Sequence, residues 1–491
     1  MHMKSLHVHV VSLGMSASTS SDAQLHWDAR LWGALVVLCG VLFLDGLDVS
    51  MVGVALPSIG EDLDLSTSSL QWVVSGYVLG YGGLLLLGGR FADLLGRRRV
   101  LLAALAVFTV ASILGGMTND GTLLIATRFL KGAAAAFTAP ASLSIITTTF
   151  AEGPARNRAL SIYTACGASG FSMGLVFGGL LTELGWRWTF LLPVPVALAV
   201  LIAAPRVLAK DGPIQAGVRR SFDFAGAVTL TAGMLLLVRT IVEAPDTGWG
   251  APQTLGGIAL AVAVLAAFVA IERRSATPLV RLGILRSGSL VRANLAAMSL
   301  FGAWVGFLFI ATLYLQQLRG WSALETGLAI FPSGLIVVAL APRIGPLVGR
   351  YGTTPLITAG LSSSVAAYAL FLPIGLHSGY ALALLPTVVL GGLGFALAYG
   401  PLNIAATNGI APSEQGLAGG LVSSSFQFGG ALVLALVTAV NHASTGSDGS
   451  PQALLDGFHA AIGVSLAVAI AGVAATALRR PARALPAPAS A

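Results

Sequence analysis

Residues 88–99 read Gly-Gly-Arg-Phe-Ala-Asp-Leu-Leu-Gly-Arg-Arg-Arg and separate two long apolar segments. They place one carboxylate, Asp93, before a glycine at position 96 and three consecutive arginines after it. A carboxylate at a helix end can accept charge-assisted hydrogen bonds from arginine or from the N-terminus of a neighbouring helix. The pattern predicts a breakable latch at one end of a helix bundle, whereas the arginines alone would fit the simpler rule that basic residues stay on the cytoplasmic side. The residues assigned to this latch are Gly89, Asp93, Gly96, Arg97 and Arg98.

The composition extends the apolar character to the whole chain. Of 491 residues, 56% are hydrophobic and only 10% are charged, while soluble proteins carry about 25% charged residues. The deficit of charge runs along nearly the full length, which predicts a membrane protein throughout. The net charge of +7 does not indicate nucleic-acid binding, because the basic residues fall in short loops between apolar runs.

Fourteen segments are long and apolar enough to cross a bilayer, which takes about 20 residues. We predict them at 31–55, 70–89, 100–118, 122–148, 157–181, 187–207, 223–242, 254–272, 291–316, 324–347, 353–374, 379–403, 415–440 and 457–478. With the N-terminus inside, 22 of the 27 Lys and Arg residues fall on the cytoplasmic side, and only Arg187 and Arg319 fall on the opposite side. This bias agrees with the positive-inside rule, so we expect both termini to be cytoplasmic.

The positions of these segments suggest a division into two halves. We predict a cytoplasmic tail at 1–30, a six-helix half at 31–207, a linker with two extra transmembrane helices at 208–272, a second six-helix half at 273–478 and a cytoplasmic tail at 479–491. Removing the central pair leaves six plus six helices, the arrangement of repeated transporter halves whose substrate sites lie near the middle of the membrane. The expected fold class is an all-α membrane protein.

Two aspartates, Asp45 and Asp48, lie in the first predicted helix and share roughly one face. A charged residue at mid-membrane costs about 2.5–3.5 kcal/mol on insertion scales, so such residues usually face a cavity or a partner. Loss of water favours the protonated form of a carboxylate, and a second carboxylate nearby favours it further. We therefore expect both residues to take part in proton coupling, the alternative being that either is simply hydrated near the outer surface.

Two basic residues, Arg128 and Lys131, lie one turn apart in the fourth predicted helix. Arg128 could pin this helix to a neighbour through an ion pair, or it could hold a carboxylate ionised in one conformation and release it in another. Its expected partner is Asp45 or Asp48. Lys131 could share this role or contact an anionic part of a substrate.

The chain resembles the major facilitator superfamily, and its helix count resembles the fourteen-helix drug:proton antiporters of that superfamily. Residues 88–99 match the signature loop, 44–57 resemble the first-helix motif with Asp48 in the acidic position, and 124–132 resemble the fourth-helix arginine motif. The segment 314–317, followed by Gly327 and Pro332, resembles the start of the second half. The resemblance implies two six-helix halves plus an inserted pair, and proton-driven export of small, hydrophobic or cationic organic compounds from a bacterial inner membrane. An uptake symporter for a small metabolite is the alternative.

The fifth predicted helix contains a run of glycines that resembles the antiporter motif of the same family: Gly170, Gly174, Gly178 and Gly179. Leu175 stands where the motif normally has proline, which puts the kink that proline would cause in doubt. Close helix packing explains the glycines equally well.

Polar, uncharged residues in the second half are candidates for substrate contacts, because such groups in an apolar cavity suit partly hydrophobic ligands. We select Tyr314, Gln316 and Gln427, together with Lys131. The sequence lacks a phosphate-binding loop of the ATPase type and a metal-ligand spacing. We therefore expect no cofactor, no metal and no enzymatic activity, and a monomer whose partners are a small-molecule substrate, protons and lipid.

Overall fold

The computed structural model describes residues 27–151, 153–211, 223–275, 278–411, 414–446 and 450–477. The tail predicted at 479–491, nearly all of the tail at 1–30 and most of the linker before residue 223 lie outside these ranges. The described residues form helices joined by short connections. Fourteen of these helices are long and apolar enough to cross a membrane by length and composition, which confirms the predicted number.

The fourteen spanning helices, numbered in chain order, have the following bounds. The first half contains α1 Ala29–Leu63, α2 Thr67–Leu95, α3 Arg97–Met117, α4 Gly121–Thr149, α5 Pro154–Leu184 and α6 Trp188–Val207. The inserted pair is α7 Phe224–Thr247 and α8 Pro252–Arg274. The second half contains α9 Gly288–Leu318, α10 Ala323–Tyr351, α11 Thr353–Phe371, α12 Tyr380–Thr407, α13 Gln415–Thr445 and α14 Pro451–Ala477.

Helix ends are set by capping side chains. Asp28, Ser66 and Asp120 accept hydrogen bonds from backbone amides at the starts of α1, α2 and α4, which satisfies donors that have no partner within a helix. The sequence places the end of the first span at residue 55, but α1 continues to Leu63 and ends where Asp64 takes a left-handed conformation (φ 49°). Acidic residues near position 62 therefore belong to the last helical turns and not to a loop.

The two halves repeat the same packing scheme. In the first half, α1 packs against α5, α2 against α4, and α3 against α4 and α6. In the second half, α9 packs against α13, α10 against α12, and α11 against α12 and α14. The equivalent helices therefore make equivalent contacts, as expected for a structural repeat.

The halves meet along two seams, α5 with α10 and α2 with α13. On α10, a Cβ atom built on Gly327 would lie 2.2 Å from the carbonyl oxygen of Leu175 in α5, whereas one built on Gly345 would meet nothing within 4 Å. We call the end of the bundle that contains Leu63 the outer end, following the predicted orientation. The α5–α10 seam is thus tightly closed at the level of Gly327, towards the outer end.

The inserted pair lies beside the other seam. Helix α7 packs against both α2 and α13, and a Cβ atom on Gly83 of α2 would lie 2.3 Å from Thr231 Oγ1 of α7. At the outer end, Asp246 Oδ1 and His442 Nε2 are 2.7 Å apart and join α7 to α13. Helix α7 therefore lies along the α2–α13 seam.

Candidate functional site

A buried group of charges joins α1 to α4. Asp48 is fully buried, and its two carboxylate oxygens pair with different cations: Oδ2 with Arg128 and Oδ1 with Lys131. Both cations are also buried. An isolated charge in this setting would carry a large desolvation penalty, which pairing and hydrogen bonding reduce. Helical spacing explains the geometry, since Arg128 and Lys131 lie one turn apart on the face of α4 that meets α1.

Aromatic rings and backbone groups complete the surroundings of the two cations. Arg128 Nε donates to the carbonyl oxygen of Val73 at 2.8 Å, and its guanidinium carbon lies 4.7 Å from the centre of the Tyr77 ring. Lys131 Nζ lies 4.7 Å from the ring centre of Phe108 and 5.1 Å from that of Phe190. Cation–π contacts of this kind are worth about 2 kcal/mol when desolvated, so the rings stabilise both charges away from water.

Asp45 lies one turn before Asp48 and has a different environment. It is half-buried, and its Oδ1 accepts a 2.6 Å hydrogen bond from the hydroxyl of Tyr77 in α2. The other oxygen, Oδ2, accepts no hydrogen bond from the described residues, and it is not among their fully buried unpaired oxygen atoms. Asp45 is therefore the accessible carboxylate of the pair, whereas Asp48 is already occupied by two cations.

The predicted latch residues are held at the inner end of α2 and the start of α3. Asp93 and Arg97 lie within ion-pair distance, at 3.8 Å, and the Asp93 side chain is 68% exposed. Gly96 adopts φ 103° between the two helices, a conformation that glycine tolerates and other residues rarely adopt. Arg97 also donates to the carbonyl oxygen of Ser144 in α4, and Arg98 to that of Leu208. The described contacts of Asp93 thus stay within the loop and do not reach the second half.

The start of α3 depends on a residue that the sequence interpretation missed. The carboxylate of Asp211 accepts hydrogen bonds from the backbone amides of Arg98 (3.1 Å) and Arg99 (3.0 Å). It therefore caps α3 from the linker after α6, which is 113 residues beyond Arg98 and 112 beyond Arg99. No local pattern could have identified it, because capping motifs are recognised from neighbours in sequence.

The glycines of the fifth helix allow close contact between helix backbones. Cβ atoms built on Gly170, Gly174 and Gly178 would lie within 2.0–2.7 Å of atoms of α1, and one on Gly179 would lie 2.5 Å from the Cα atom of Leu324 in α10. Three glycines thus pack α5 on α1 within one half, and the fourth packs it on the other half. Leu175, which stands in place of the motif proline, lies inside an uninterrupted helix.

The residues selected for substrate contacts are not gathered in one place. Tyr314 is fully buried and donates to the carbonyl oxygen of Gly375 at 2.8 Å, so it belongs to the packed outer part of the second half. Gln316 donates to the carbonyl oxygen of Val54 in α1 at 2.9 Å and joins the two halves near the outer end. Gln427 packs beside Gly82 on the α2–α13 seam. The contacts of Tyr314 favour a packing role over a substrate contact. Gln316 forms a hydrogen bond between the two halves.

Among the described residues no three His, Cys, Asp or Glu side chains lie close enough together to hold a metal ion. The groups gathered here are two carboxylates, one of them paired with two cations and the other bonded to a tyrosine hydroxyl.

Comparison with known proteins agrees with this architecture. The sequence model of the Major Facilitator Superfamily matches residues 38–434. The cephamycin export protein CmcT of Amycolatopsis lactamdurans is 39% identical over 86% of this chain and 87% of its own length. The puromycin resistance protein pur8 of Streptomyces alboniger is 38% identical over 92% and 91%, and the lincomycin resistance protein of Streptomyces lincolnensis is 32% identical over 90% and 91%.

Solved structures show the same fold at low sequence identity. The D-xylose-proton symporter aligns over 92% of this chain and 98% of its own, with a TM-score of 0.65 and 15% identity. The POT family transporter PepTSo aligns over 92% of this chain and 98% of its own, with a TM-score of 0.64 and 16% identity. With fourteen apolar helices, a repeated six-helix packing and a family match over most of its length, this chain belongs to the major facilitator superfamily of membrane transporters.

Proposed function

We propose that the chain exports small organic compounds from a bacterial cytoplasm, driven by protons that move inward through the same protein. The two halves would rock about the buried centre so that it faces each side in turn. In this proposal the protein lies in the inner membrane with both termini in the cytoplasm, as the distribution of basic residues predicts. Three of its relatives are named for the export of, or resistance to, cephamycin, puromycin and lincomycin, which supports export over uptake.

The observation that carries the proton coupling is the accessible carboxylate of Asp45 beside a cluster of paired charges. Asp48, Arg128 and Lys131 together carry one net positive charge, and ionised Asp45 brings the sum to zero. Protonation of Asp45 leaves one uncompensated positive charge in a low-dielectric region, where charges interact strongly. The protonation state of Asp45 therefore changes the electrostatic balance between α1 and α4, and with it the relative energies of the two conformations.

The energy source is sufficient for export. One elementary charge that crosses 100 mV is worth about 2.3 kcal/mol, and a tenfold concentration ratio requires about 1.4 kcal/mol. A single proton per cycle can thus concentrate a substrate more than tenfold when a pH gradient adds to the potential.

Transport into inverted membrane vesicles tests this proposal. Respiration acidifies the vesicle interior, and labelled puromycin should then accumulate inside and leave when a proton ionophore is added. Asp45→Asn should abolish the accumulation that depends on the gradient. Accumulation in energised whole cells, with none in inverted vesicles, would show an uptake symporter and would overturn the proposal.

A further inference from the structure

Two buried carboxylates meet at the inner end of the inserted pair. Asp223 caps the start of α7, where its Oδ1 accepts a 2.8 Å hydrogen bond from the amide of Gly226. Glu272 lies in the last turn of α8, and its Oε2 accepts a 3.0 Å hydrogen bond from the amide of Val280, in the segment that leads into the second half. The two acidic residues are only 6% and 3% exposed. They thus join the beginning of α7, the end of α8 and the next connection.

The two carboxylates converge on one point beside α7. A Cβ atom built on Gly226 would lie 2.6 Å from Oε1 of Glu272 and 3.0 Å from Oδ1 of Asp223. A side chain at this position would have to displace the Glu272 carboxylate, so the glycine allows an acid of α8 to reach the start of α7. Two ionised carboxylates so placed would repel each other, and the loss of water disfavours both charges further.

One oxygen on each side chain lacks a partner. Oδ2 of Asp223 and Oε1 of Glu272 are fully buried and accept no hydrogen bond within the part of the chain that the structure describes. Neither acid takes part in an ion pair with another described residue. Buried polar atoms are nearly always hydrogen-bonded in folded proteins, so the two orphaned oxygens indicate a bound group that supplies a proton or a positive charge.

The charged residues on the surrounding elements do not supply that charge. They are Arg90 and Asp93 on α2, Arg273 and Arg274 on α8, Arg281 after α8, and Glu414 before α13. Arg273 and Arg274 are exposed, and Arg281 pairs with Glu414 at 3.5 Å. Apolar side chains from α2, α7, α8 and the connection after it close around the two acids, namely Leu87, Ala227, Phe268, Leu279 and Val280.

The helix ends distinguish the two acids. The N-terminus of α7 favours a negative charge on its cap, Asp223, whereas the C-terminus of α8 disfavours a negative charge on Glu272. Two carboxylates can only accept hydrogen bonds, but a protonated carboxyl group can donate one. A proton on Oε1 of Glu272 would therefore give this orphaned oxygen a bond to Asp223, while Oε2 continues to accept from Val280.

We infer that Asp223 and Glu272 form a second proton-binding site, in which Glu272 carries the proton and donates it to the carboxylate of Asp223. The bound proton reduces the net charge of the pair from −2 to −1. When it leaves, the O–H bond of Glu272 breaks, the proton passes to the solvent at the inner end, and two buried like charges remain. The site thus makes the attachment of α7 and of the connection after α8 sensitive to pH on the inner side. It does not depend on the direction of transport.

Infrared spectroscopy of the purified full-length protein tests this inference without any gradient. At neutral pH the wild type should show the carbonyl band of a buried, protonated carboxylic acid, and this band should shift in heavy water. Glu272→Gln should lack that contribution in the difference spectrum, and alkaline titration should remove it from the wild type. Glu243→Gln is the matched control, because Glu243 is exposed near the outer end of α7 and pairs with Arg239. It should leave the band unchanged.

The pH dependence of the melting temperature provides a second measurement. The folded protein holds a proton that the unfolded chain releases at neutral pH, so this site makes stability fall as the pH rises. Glu272→Gln keeps the shape of the side chain and a donor towards Asp223, but it has no proton to lose. Its pH profile should be flatter than that of the wild type by the slope of one titrating group, with a melting temperature at least as high at alkaline pH.

A second variant keeps the test decisive if Glu272→Gln fails to fold. Asparagine is a good helix cap, so Asp223→Asn keeps the bond to Gly226 and removes the like charge beside Glu272. The carbonyl band should then disappear at lower pH than in the wild type. An identical band and an identical pH profile in the wild type and in the variant that folds would overturn the inference. So would a rise in the wild-type melting temperature with magnesium or calcium that either variant abolishes, because a metal ion would then occupy the space between the carboxylates.

Discussion

The ammonium group of Lys131 donates to Oδ1 of Asp48 in the buried interface between α1 and α4. Arg128 occupies the second oxygen of the same carboxylate. One carboxylate therefore pairs with two cations. The stability of this interface depends on the carboxylate more than on either cation.

Asp48→Asn should consequently destabilise the protein. The substitution removes the carboxylate that is bonded to both buried cations, and breaking a buried ion pair costs roughly 3–5 kcal/mol. We expect a lower melting temperature in detergent and less protein in the membrane. The double variant Asp48→Asn, Lys131→Gln should recover part of the loss because it removes one uncompensated charge. Equal melting temperatures for the single variant and the wild type would contradict this assignment.

Lys131→Gln alone should have a mild effect on stability. The remaining Arg128–Asp48 pair is neutral, and glutamine can still donate a hydrogen bond to Asp48. The sum of charges at the site falls by one, however, so that ionised Asp45 is no longer balanced. We expect near-normal melting behaviour together with an altered pH dependence of vesicle transport. A pH profile that matches the wild type would show that Lys131 does not contribute to coupling.

Tyr77→Phe removes the hydrogen bond to Asp45 and keeps the ring that stacks under Arg128. Hydrogen bonds to charged groups contribute about 1.5–3 kcal/mol, so we expect transport at limiting substrate concentration to fall about tenfold. Inverted vesicles with labelled puromycin provide the measurement. Tyr351→Phe serves as the control at an exposed position, and an equal effect of both variants would argue against a role for the Tyr77 hydroxyl.

The sequence was informative wherever the relevant contacts follow helical periodicity or composition. The number of spans follows from apolar length, and the meeting of Asp48 with Arg128 follows from the cost of burying either charge alone. The bond from Tyr77 to Asp45 could not be predicted, because a tyrosine in an apolar helix is most often a packing residue. The position of α7 against α2 and α13 could not be predicted either. It depends on the packing of apolar helix surfaces, and the sequence offers many other apolar helices that could pack there equally well.

The α5–α10 seam gives a prediction about conformation. Gly327→Ala would place a Cβ atom 2.2 Å from the backbone oxygen of Leu175, and neither backbone can yield without moving a helix. We expect the outer end to open more often. Labelling of Ala323→Cys by a membrane-impermeant maleimide, in a background with Cys39 and Cys166 replaced by alanine, should become several-fold faster.

The control for this experiment is Gly345→Ala on the same helix, where a Cβ atom would meet nothing within 4 Å. It should leave the labelling rate unchanged. Equal labelling rates in the wild type and in Gly327→Ala would mean that the outer contact between α5 and α10 is more compliant than its geometry indicates.

Asp93 and Asp211, the two carboxylates at the signature loop, should differ in their effects on stability and on transport. Asp93 is well exposed and lies 3.8 Å from Arg97, and exposed pairs contribute only about 0–1 kcal/mol. Asp211 binds two amides at the start of α3, and loss of such a cap costs about 1 kcal/mol. Asp93→Asn should therefore leave the melting temperature nearly unchanged but slow vesicle transport, because it removes the carboxylate that the predicted latch requires.

Asp211→Ala should show the opposite pattern, with a lower melting temperature and a smaller effect on transport per folded molecule. Both variants are compared in one detergent, and transport is normalised to the amount of folded protein in the vesicles. The comparison separates a carboxylate that holds a helix end from one that acts during the transport cycle. If Asp93→Asn lowers the melting temperature as much as Asp211→Ala does and transport per folded molecule is normal, the loop is a structural connection and the latch proposal is wrong.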